Sequence, residues 1–584
     1  MNFKAVDNSL ANLHEIDVPA TPDADAKPQT LPEYKGAPEF FKRVQAMMIA
    51  NKGDLIPTSA MPADGKFPSA TTRFEKRDLA DQIPVWNPEL CIQCNKCVTI
   101  CPHAAIRAKF YPEALKAGAP ETFKGVPFKA KDFPGTLFTI QVAPEDCTGC
   151  TICTHVCPGK DKNDPTRHAL MMAPQPPLRE AEAKNWDFFM DLPDPDRTKL
   201  GNTIRDSQFM TPLIEFSGAC SACGETPYIK LMTQLFGDRT YIANATGCSS
   251  IYGGNLPTTP YSVNKDGRGP AWANSLFEDN AEFGLGMRYA IDKKTEIARQ
   301  ALAEAAGTVG EELAKAILEA PQTTEADIAA QRERVAELNK KLEAAGTPEA
   351  KRLAALSEFL VKKNVWIVGG DGWAYDIGYG GLDHAIASGK NIKILVLDTE
   401  VYSNTGGQMS KSTSIAAVAK FAAAGKKLPK KDLAQIAVQY GHVYVARVSL
   451  GYKDTQVLQA MKEAEAYDGP AIIIAYAHCI AHGYRNLADG TAHQKVAVES
   501  GYWPIFRYNP ANIALGKNPF TLDTPVPKTA LQDFMNLETR FKGLQRANPA
   551  HAAELYAKAQ EEISNRFHYY QESKKAYEPA PKAE

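Results

Sequence analysis

Two runs of four cysteines with identical spacing constrain this chain more than any other feature. Each run reads C-x2-C-x2-C-x3-C and is followed at once by a proline. Three close thiolates and a more distant fourth suit a cubane [4Fe–4S] cluster. Structural zinc sites also use C-x2-C pairs, but two copies of the whole pattern, each with its proline, favour two clusters. The runs are Cys91, Cys94, Cys97 and Cys101, and Cys147, Cys150, Cys153 and Cys157.

The fourth cysteine of each run is expected to serve the other cluster, as in domains that hold two such clusters. One cluster then has the ligands Cys91, Cys94, Cys97 and Cys157, and the other has Cys147, Cys150, Cys153 and Cys101. The segment between the runs, His103 to Asp146, is longer than a minimal two-cluster domain needs and is rich in Phe, Pro and Lys. We expect it to be a surface insertion.

A second constraint is the stretch from Val365 to Gln408. Two short apolar runs rich in β-branched residues, Val365–Val368 and Ile392–Leu397, are separated by a stretch of helical length, Ile377–Ala387. This alternation predicts a βαβ unit whose parallel strands are buried.

Both predicted strands end in a turn that contains an aspartate. Asp371 lies between Gly370 and Gly372, and Asp398 precedes Thr399. Ligands bind beyond the carboxyl ends of parallel strands, where the glycines would let the backbone approach a diphosphate and Asp371 would hold a hard cation. The turns therefore predict a magnesium diphosphate site. For the tripeptide alone, a tight turn without a ligand is the alternative.

The four remaining cysteines fall at a predicted helix start or just after predicted strands. Alone, the C-x2-C pair would suit a redox or zinc site, and the two single cysteines would suit buried core thiols. Together they indicate a third cluster at the sheet edge that carries Asp371. This assignment accounts for all 12 cysteines of the chain. The four are Cys220, Cys223, Cys248 and Cys479.

The strings GDGWAYDIGYGGLDH and DTEVYSNTGGQ resemble pyruvate:ferredoxin (flavodoxin) oxidoreductase, a thiamine diphosphate enzyme. Arg73 to Arg77 resembles the EKR region of the same family. The resemblance implies that Asp371, Thr399 and the carbonyl of Val401 bind magnesium beside Gly370 and Gly372. Many thiamine enzymes have Asn where Thr399 stands. The resemblance further implies that the cluster nearest the thiamine is held by Cys220, Cys223, Cys248 and Cys479, and that the cofactor-facing catalytic residues are Glu225 and Asn404.

The expected fold class is α/β, with a thiamine-diphosphate-binding parallel-sheet domain, a small α+β ferredoxin-like domain with two [4Fe–4S] clusters and a short N-terminal module. The expected domains are a linker and EKR-type module at 1–81, the ferredoxin-like domain at 82–175, a connector at 176–208, the thiamine domain at 209–572 with a helical hairpin at about 293–362, and a disordered tail at 573–584.

Composition excludes several classes of function. The chain has 66 basic and 68 acidic residues, so its charge does not favour nucleic acid or an anionic membrane as a partner. Its amino terminus lacks the basic and apolar regions of a signal peptide, and no apolar run approaches the roughly 20 residues of a transmembrane helix. Because disulfides are disfavoured in the cytoplasm, the cysteines fit cluster ligands in a cytoplasmic protein.

The function implied by the resemblance is oxidative decarboxylation of pyruvate to acetyl-CoA and CO2. Coenzyme A is the co-substrate, and electrons pass one at a time through three clusters to ferredoxin or flavodoxin. The resemblance covers only the carboxyl-terminal half of the family's usual chain, so either the enzyme is naturally split or this chain is one half of a longer product. We expect a partner chain with the other half and an assembled homo-oligomer. Two alternatives remain: another 2-oxo acid such as 2-oxoglutarate as substrate, and a non-catalytic electron-transfer subunit.

Overall fold

The computed structural model describes residues 2–18, 20, 21, 34 and 36–578. It divides into two compact units, Met1–Gly65 and Lys66–Glu584. The described part of the first unit has a helix at Asn2–Asp7 and a π-helical turn at Phe41–Gln45 that continues as an α-helix at Ala46–Ile49. Residues 19, 22–33 and 35 of the expected N-terminal module lie outside the described residues.

The cysteine-rich part of the second unit is built on two small antiparallel sheets. β1 pairs with β5, and β4 lies between β2 and β3. Short helices contain the third cysteine of each run, at Lys96–Ile100 for Cys97 and at Ile152–His155 for Cys153. The strands are β1 Gln82–Trp86, β2 Ile106–Pro112, β3 Val126–Pro127, β4 Thr136–Val142 and β5 Leu170–Pro174.

The segment His103 to Asp146 is not a surface insertion, contrary to our expectation. It contains β2, β3 and β4, and its aromatic rings form part of the core of this domain. Phe128 stacks on Phe110 and Phe138, with ring centroids 4.9 and 5.9 Å away. The high Phe content therefore reflects core packing between strands.

A segment of the expected connector is also ordered and buried. Residues Arg179–Asp191 form a helix that buries Trp186 and Phe189. The guanidinium of Arg107, on β2, lies 5.2 Å from the Trp186 ring. This helix therefore packs as part of the ferredoxin-like core.

The rest of the second unit is organised around an eight-stranded sheet in the order β15-β14-β12-β13-β9-β8-β6-β7. The six strands from β12 to β7 are parallel, and β14 and β15 add an antiparallel edge. β9 and β13 are buried along their whole length, as expected for central strands with both faces covered. The eight strands are β6 Thr240–Ala245, β7 Ala271–Ser275, β8 Asn364–Gly370, β9 Lys393–Asp398, β12 Tyr444–Val448, β13 Ala471–Tyr476, β14 Phe506–Tyr508 and β15 Phe520–Leu522. Two further strands, β10 Val401–Tyr402 and β11 Gln408–Met409, pair with each other in a separate antiparallel sheet.

Helices cover both faces of this sheet, and a group of helices between β7 and β8 has a core of its own. That core includes Leu302, Ile328 and Leu338, and the group is larger than the expected hairpin. Its helices are Asn280–Glu304, Ala306–Val309, Glu311–Leu318, Glu325–Ala345 and Pro348–Ala354. The other helices of this part are Ile204–Ser207, Thr226–Phe236, Cys248–Gly253, Tyr379–Ala387, Leu433–Val438, Asp454–Ala466, Gly490–Glu499, Ala511–Ala514, Leu531–Met535, Thr539–Ala547 and Pro549–Ala576.

The helix Pro549–Ala576 includes residues 573–576 of the segment expected to be a disordered tail. It packs against the sheet through Tyr570, whose ring centroid lies 4.9 Å from that of Phe506 on β14. Residues 579–584 of the expected tail lie outside the described residues. Within the part of the chain that the structure describes, no helix is both long and apolar enough to span a bilayer.

Candidate functional site

Asp371 is a buried carboxylate at the carboxyl end of β8. Its Oδ1 accepts hydrogen bonds from the backbone amide of Thr399 at 3.2 Å and from the Thr399 hydroxyl at 3.1 Å. The same hydroxyl lies 3.1 Å from the carbonyl oxygen of Val401, and Ser410 donates to Oδ2 of Asp371 at 2.5 Å. A carboxylate, a hydroxyl and a carbonyl thus lie side by side, and these are the hard oxygen ligands that magnesium prefers.

The electrostatic surroundings of Asp371 favour a cation. Burial raises its pKa well above the usual value, and the carboxylate of Asp398 raises it further. Hydrogen bonds from Ser410 and Thr399 and the ammonium of Lys430 lower it. A divalent cation would supply positive charge next to a carboxylate that burial destabilises. The residues therefore fit a magnesium diphosphate.

Glu400, between the two other candidate ligands, is held in a left-handed conformation with φ of 61°. Such a conformation costs an L-residue about 1–2 kcal/mol. Its buried carboxylate accepts hydrogen bonds from Lys430 at 3.1 Å and Tyr502 at 2.5 Å, and pairs with Arg540 at 2.8 Å. We call these four residues the Glu400 clamp. It fixes the backbone that presents the hydroxyl of residue 399 and the carbonyl of residue 401, and no pattern in the sequence indicated it.

A cleft lies next to Asp371, where β6, β8 and β9 end. Its lining includes Glu225, Cys248, Asp371 and Asn404, so the structure brings these predicted site residues together. A Cβ atom at Gly372 would lie 2.5 Å from the Tyr402 ring. This glycine therefore makes room for a side chain of the cleft wall.

Glu225 faces the cleft from the start of the helix Thr226–Phe236 and is only 4% exposed. The hydroxyl of Tyr252 donates to its Oε2 at 3.0 Å. Burial raises the pKa of Glu225 to about 7, and the hydrogen bond from Tyr252 lowers it. The cleft thus contains a carboxyl group that titrates near neutral pH. Sequence reasoning missed Tyr252, which lies within the short helix after Cys248.

The structure brings together the crossed cysteine sets that the two runs predict. Burial raises the pKa of Cys97 well above its usual value, and the neighbouring thiolates of Cys157, Cys91 and Cys94 raise it further. Burial likewise raises the pKa of Cys153 well above its usual value, and the thiolates of Cys101, Cys97, Cys150 and Cys147 raise it further. The influence of Cys97 on Cys153 shows that the two sets are neighbours. All 12 cysteines are free thiols.

The remaining four cysteines also lie near one another and near Asp371. Burial raises the pKa of Cys248, and Glu225, Cys479 and Cys223 raise it further. Burial raises the pKa of Cys479 to about 12, with further contributions from Glu225, Cys220 and Asp371. The third candidate cluster site and the candidate magnesium site therefore share one edge of the sheet.

The first C-x2-C segment of each run and the segment from Cys220 to Cys223 contain the same left-handed turn. The residue before the second cysteine has φ of 59° at Gln93, 65° at Gly149 and 55° at Ala222. Backbone amides also donate to sulfur atoms at each site, from Gln93 to Cys91 at 3.3 Å, from Gly149 to Cys147 at 3.4 Å and from Glu225 to Cys223 at 3.4 Å. Hydrogen bonds to sulfur are one of the means by which a protein sets cluster potentials. Cys220 and Cys223 thus share the backbone geometry of the two other sites.

Ala222 connects the third cysteine set to the ferredoxin-like domain. Burial raises the pKa of Cys150, and a hydrogen bond from the Ala222 amide lowers it. The carbonyl of Ala222 lies 2.9 Å from Nε2 of His478, next to Cys479. A Cβ atom at Gly224 would lie 2.4 Å from the carbonyl oxygen of His478, so this close approach requires glycine.

Among the described residues, no three His, Cys, Asp or Glu side chains are grouped to hold a single metal ion, and the candidate magnesium site instead combines the Asp371 carboxylate with a hydroxyl and a carbonyl oxygen.

Three family models match parts of the chain. Residues 26–80 match the EKR model, described as a domain of unknown function, and residues 90–160 match a 4Fe-4S dicluster domain. Residues 350–475 match the C-terminal TPP binding domain of thiamine pyrophosphate enzymes. The expected fold class and the expected thiamine and iron–sulfur cofactors are thereby confirmed.

Relatives match nearly the whole chain. A pyruvate-flavodoxin oxidoreductase from Trichormus variabilis is 56% identical over 98% of this chain and 49% of its own length. The pyruvate:ferredoxin oxidoreductase from Moorella thermoacetica is 48% identical, with the same two coverages of 98% and 49%. A solved 2-oxoglutarate:ferredoxin oxidoreductase from Magnetococcus marinus matches with 15% identity and a TM-score of 0.28, over 46% of this chain and 67% of that chain.

The chain spans about half the length of the relatives that it matches. Its ferredoxin-like and thiamine domains both lie within the matched region. Over nearly all of its own length, the chain is therefore a homologue of one half of the pyruvate-flavodoxin and pyruvate:ferredoxin oxidoreductases.

Proposed function

We propose that this chain supplies three [4Fe–4S] clusters and half of the thiamine diphosphate site of a pyruvate:ferredoxin (flavodoxin) oxidoreductase. The enzyme would convert pyruvate and coenzyme A to acetyl-CoA and CO2 and deliver two electrons, one at a time, to ferredoxin or flavodoxin. One observation supports this most directly. Asp371 and Cys479 lie close enough for the carboxylate to raise the pKa of the thiol, so cofactor chemistry and electron removal would take place at the same sheet edge.

The residues of the cleft have separate tasks in this proposal. Asp371, Thr399 and the carbonyl of Val401 hold magnesium on the diphosphate, and the Glu400 clamp keeps the last two in place. Thiamine diphosphate, when bound, supplies a carbon nucleophile for a 2-oxo acid and a sink for the electrons left after decarboxylation. Asn404 and Glu225 both belong to the cleft lining and would orient the cofactor and the substrate.

The cysteine sets define the route out of the cleft. The set of Cys220, Cys223, Cys248 and Cys479 lies at the cleft, and Ala222 joins it to Cys150. The set with Cys150 is in turn a neighbour of the set with Cys97. We therefore place the clusters in that order, with the set containing Cys91, Cys94, Cys97 and Cys157 delivering electrons to the acceptor.

The cleft is open, and exposed apolar side chains lie close in sequence to its lining residues. Ile251 is 48% exposed, Leu276 64% and Ile377 49%. Burying apolar area of this kind would favour association. In this proposal a partner chain with the other half of the enzyme covers the cleft and completes the sites for pyruvate and coenzyme A, and the assembled enzyme is a homo-oligomer.

We also place the enzyme in the cytoplasm, because its 12 cysteines are free thiols and a reducing compartment keeps thiols available as cluster ligands.

The first test is anaerobic reduction of a viologen dye by the natively purified protein with any chain that co-purifies. Pyruvate and 2-oxoglutarate are compared, each with and without coenzyme A. We expect reduction that requires pyruvate and coenzyme A and is lost in D371A. Preference for 2-oxoglutarate would establish the alternative substrate. The proposal is wrong if two results are obtained with the partner chain present: no 2-oxo acid reduces the dye, and D371A transfers electrons like the wild type. The chain would then be an electron carrier.

A further inference from the structure

Lys230 crosses from the thiamine domain to the ferredoxin-like domain. It lies on the helix Thr226–Phe236, every residue of which is buried, and is itself only 2% exposed. Its Nζ donates to the carbonyl oxygen of Cys101 at 3.0 Å and to that of Val98. The side chain therefore ends beside the helix Lys96–Ile100, which contains Cys97 and is followed by Cys101.

No carboxylate pairs with Lys230 anywhere in the described ranges. Burial lowers the pKa of Lys230 to about 8, and the thiolates of Cys101 and Cys97 raise it. The nearest cation acting on it, Arg107, is already paired with Glu215 at 2.5 Å. An unpaired buried charge is strongly destabilising, so the lysine depends on the negative charge of the cysteine sites.

Cys101 and Cys97 fall in different crossed sets, so one ammonium faces a ligand of each ferredoxin-like cluster. Reduction adds one electron, and hence one negative charge, to a cluster. Net charge near a cluster is one of the factors that set its potential, and a positive charge in a buried environment of low dielectric constant stabilises the more negative state.

We propose that Lys230 raises the reduction potentials of the clusters in the ferredoxin-like domain, drawing electrons away from the thiamine side. The inference rests on the cluster ligands assigned under the proposed function, but not on the reaction of any 2-oxo acid. It assigns to this lysine an electrostatic role that is distinct from ligation.

The test is a redox titration of the purified protein, followed by electron paramagnetic resonance and by iron content, without 2-oxo acid or coenzyme A. K230Q keeps hydrogen-bond donors but removes the charge, and K230R keeps the charge. The matched control is K109Q, because Lys109 is also buried in the ferredoxin-like domain but pairs with Asp194 at 3.1 Å.

We expect K230Q to retain its iron and to shift at least one midpoint potential to more negative values, while K230R and K109Q match the wild type. Unchanged midpoints in iron-replete K230Q, or an equal shift in K109Q, would overturn the inference. If K230Q loses iron, the midpoint potentials of K230R are the test. A shifted midpoint potential in an iron-replete K230R would contradict a role of the positive charge, because this variant keeps the charge. A wild-type protein that holds no clusters would overturn the ligand assignment and the inference together, whereas dye reduction would test the proposed reaction separately.

Discussion

Thr399 and Asp371 are 28 residues apart in the chain, yet the hydroxyl of Thr399 lies 3.1 Å from the carboxylate of Asp371. They meet because β8 and β9 are adjacent parallel strands that end at the same edge of the sheet. The candidate magnesium site is therefore a property of strand pairing and of the two loops that follow.

D371N should weaken magnesium binding in the presence of thiamine diphosphate by at least about tenfold, equivalent to about 1.4 kcal/mol, because a neutral amide replaces the charged ligand. Calorimetric titration of the natively purified complex would measure this. D383N is the control, because Asp383 is not part of the cleft lining. Its carboxylate accepts a hydrogen bond from the hydroxyl of Tyr440 at 2.7 Å. Equal affinities of D371N and the wild type would exclude Asp371 as a ligand.

The Glu400 clamp should be important for both stability and cofactor binding. Removing one partner from a buried ion pair costs about 3–5 kcal/mol. The free energy of unfolding of E400A, measured by urea titration, should be lower than that of the wild type by about this amount, and E400A should bind magnesium more weakly. E358A is the control, because Glu358 is 58% exposed beside Lys363 and should change stability by less than about 1 kcal/mol. A stable E400A with wild-type magnesium affinity would show that the clamp does not position the ligands.

Iron content should separate the three cysteine sites. The wild type should contain about 12 iron atoms per chain if it holds three four-iron clusters. C248A should contain about 8, because Cys248 belongs to the set at the cleft, and should keep the electron paramagnetic resonance signals of the two ferredoxin-like clusters. If the wild type contained about 8 iron atoms and C248A contained the same number, the assignment of a third cluster would be wrong.

The crossed ligand assignment has a separate consequence for the two ferredoxin-like clusters. C157A should perturb the same cluster signal as C91A, and C101A the same signal as C147A, because the partners within each pair lie in the same set. Matching spectra for C157A and C147A would instead show that each run serves its own cluster.

Protonation of the buried Lys393 should contribute to the change in folding stability with pH. Burial lowers the pKa of Lys393 to about 7, and it donates to the carbonyls of Tyr467 and Gly469. Between pH 7 and the unfolded value of about 10.4, the unfolded chain holds more protons, so this residue makes the fold more stable as pH rises. Below pH 7 both states are charged and the destabilisation is constant.

K393M should therefore reduce the gain in stability between pH 7 and pH 9, as measured by urea unfolding followed by tryptophan fluorescence. K340M, at an exposed helical lysine, is the control and should keep the wild-type slope. An unchanged slope in K393M would show that this lysine is not the titrating group.

Much of the thiamine domain could be predicted because its strands are short apolar runs between turns. The predicted strand Val365–Val368 lies inside β8, and Ile392–Leu397 overlaps β9. The aspartate turns could be placed at one sheet edge because parallel strands fix that geometry. The roles assigned to the individual site residues remain predictions.

Other features depend on distant contacts that no local pattern records. The Phe-rich segment before Asp146 was expected at the surface because it is longer than a minimal two-cluster domain needs. Its aromatic partners, such as Phe209, are remote in sequence, so no local pattern indicated its burial. Lys430 lies in a lysine-rich stretch typical of a solvated loop, yet it is buried against Asp398 at 2.9 Å. A buried charge can be recognised only when its partners are known.

The helix Thr226–Phe236 begins just after Cys223, and Lys230 joins it to Cys101. Because it is buried on all sides, it acts as a rigid spacer between the cleft and the ferredoxin-like domain. Electron tunnelling slows steeply with distance. In the proposed function, this spacer would fix the distance between the cleft cluster and the ferredoxin-like clusters, so the transfer rate between them would not change when an acceptor binds or leaves. In the proposed function, substitutions in the cleft and at the acceptor surface would then act independently.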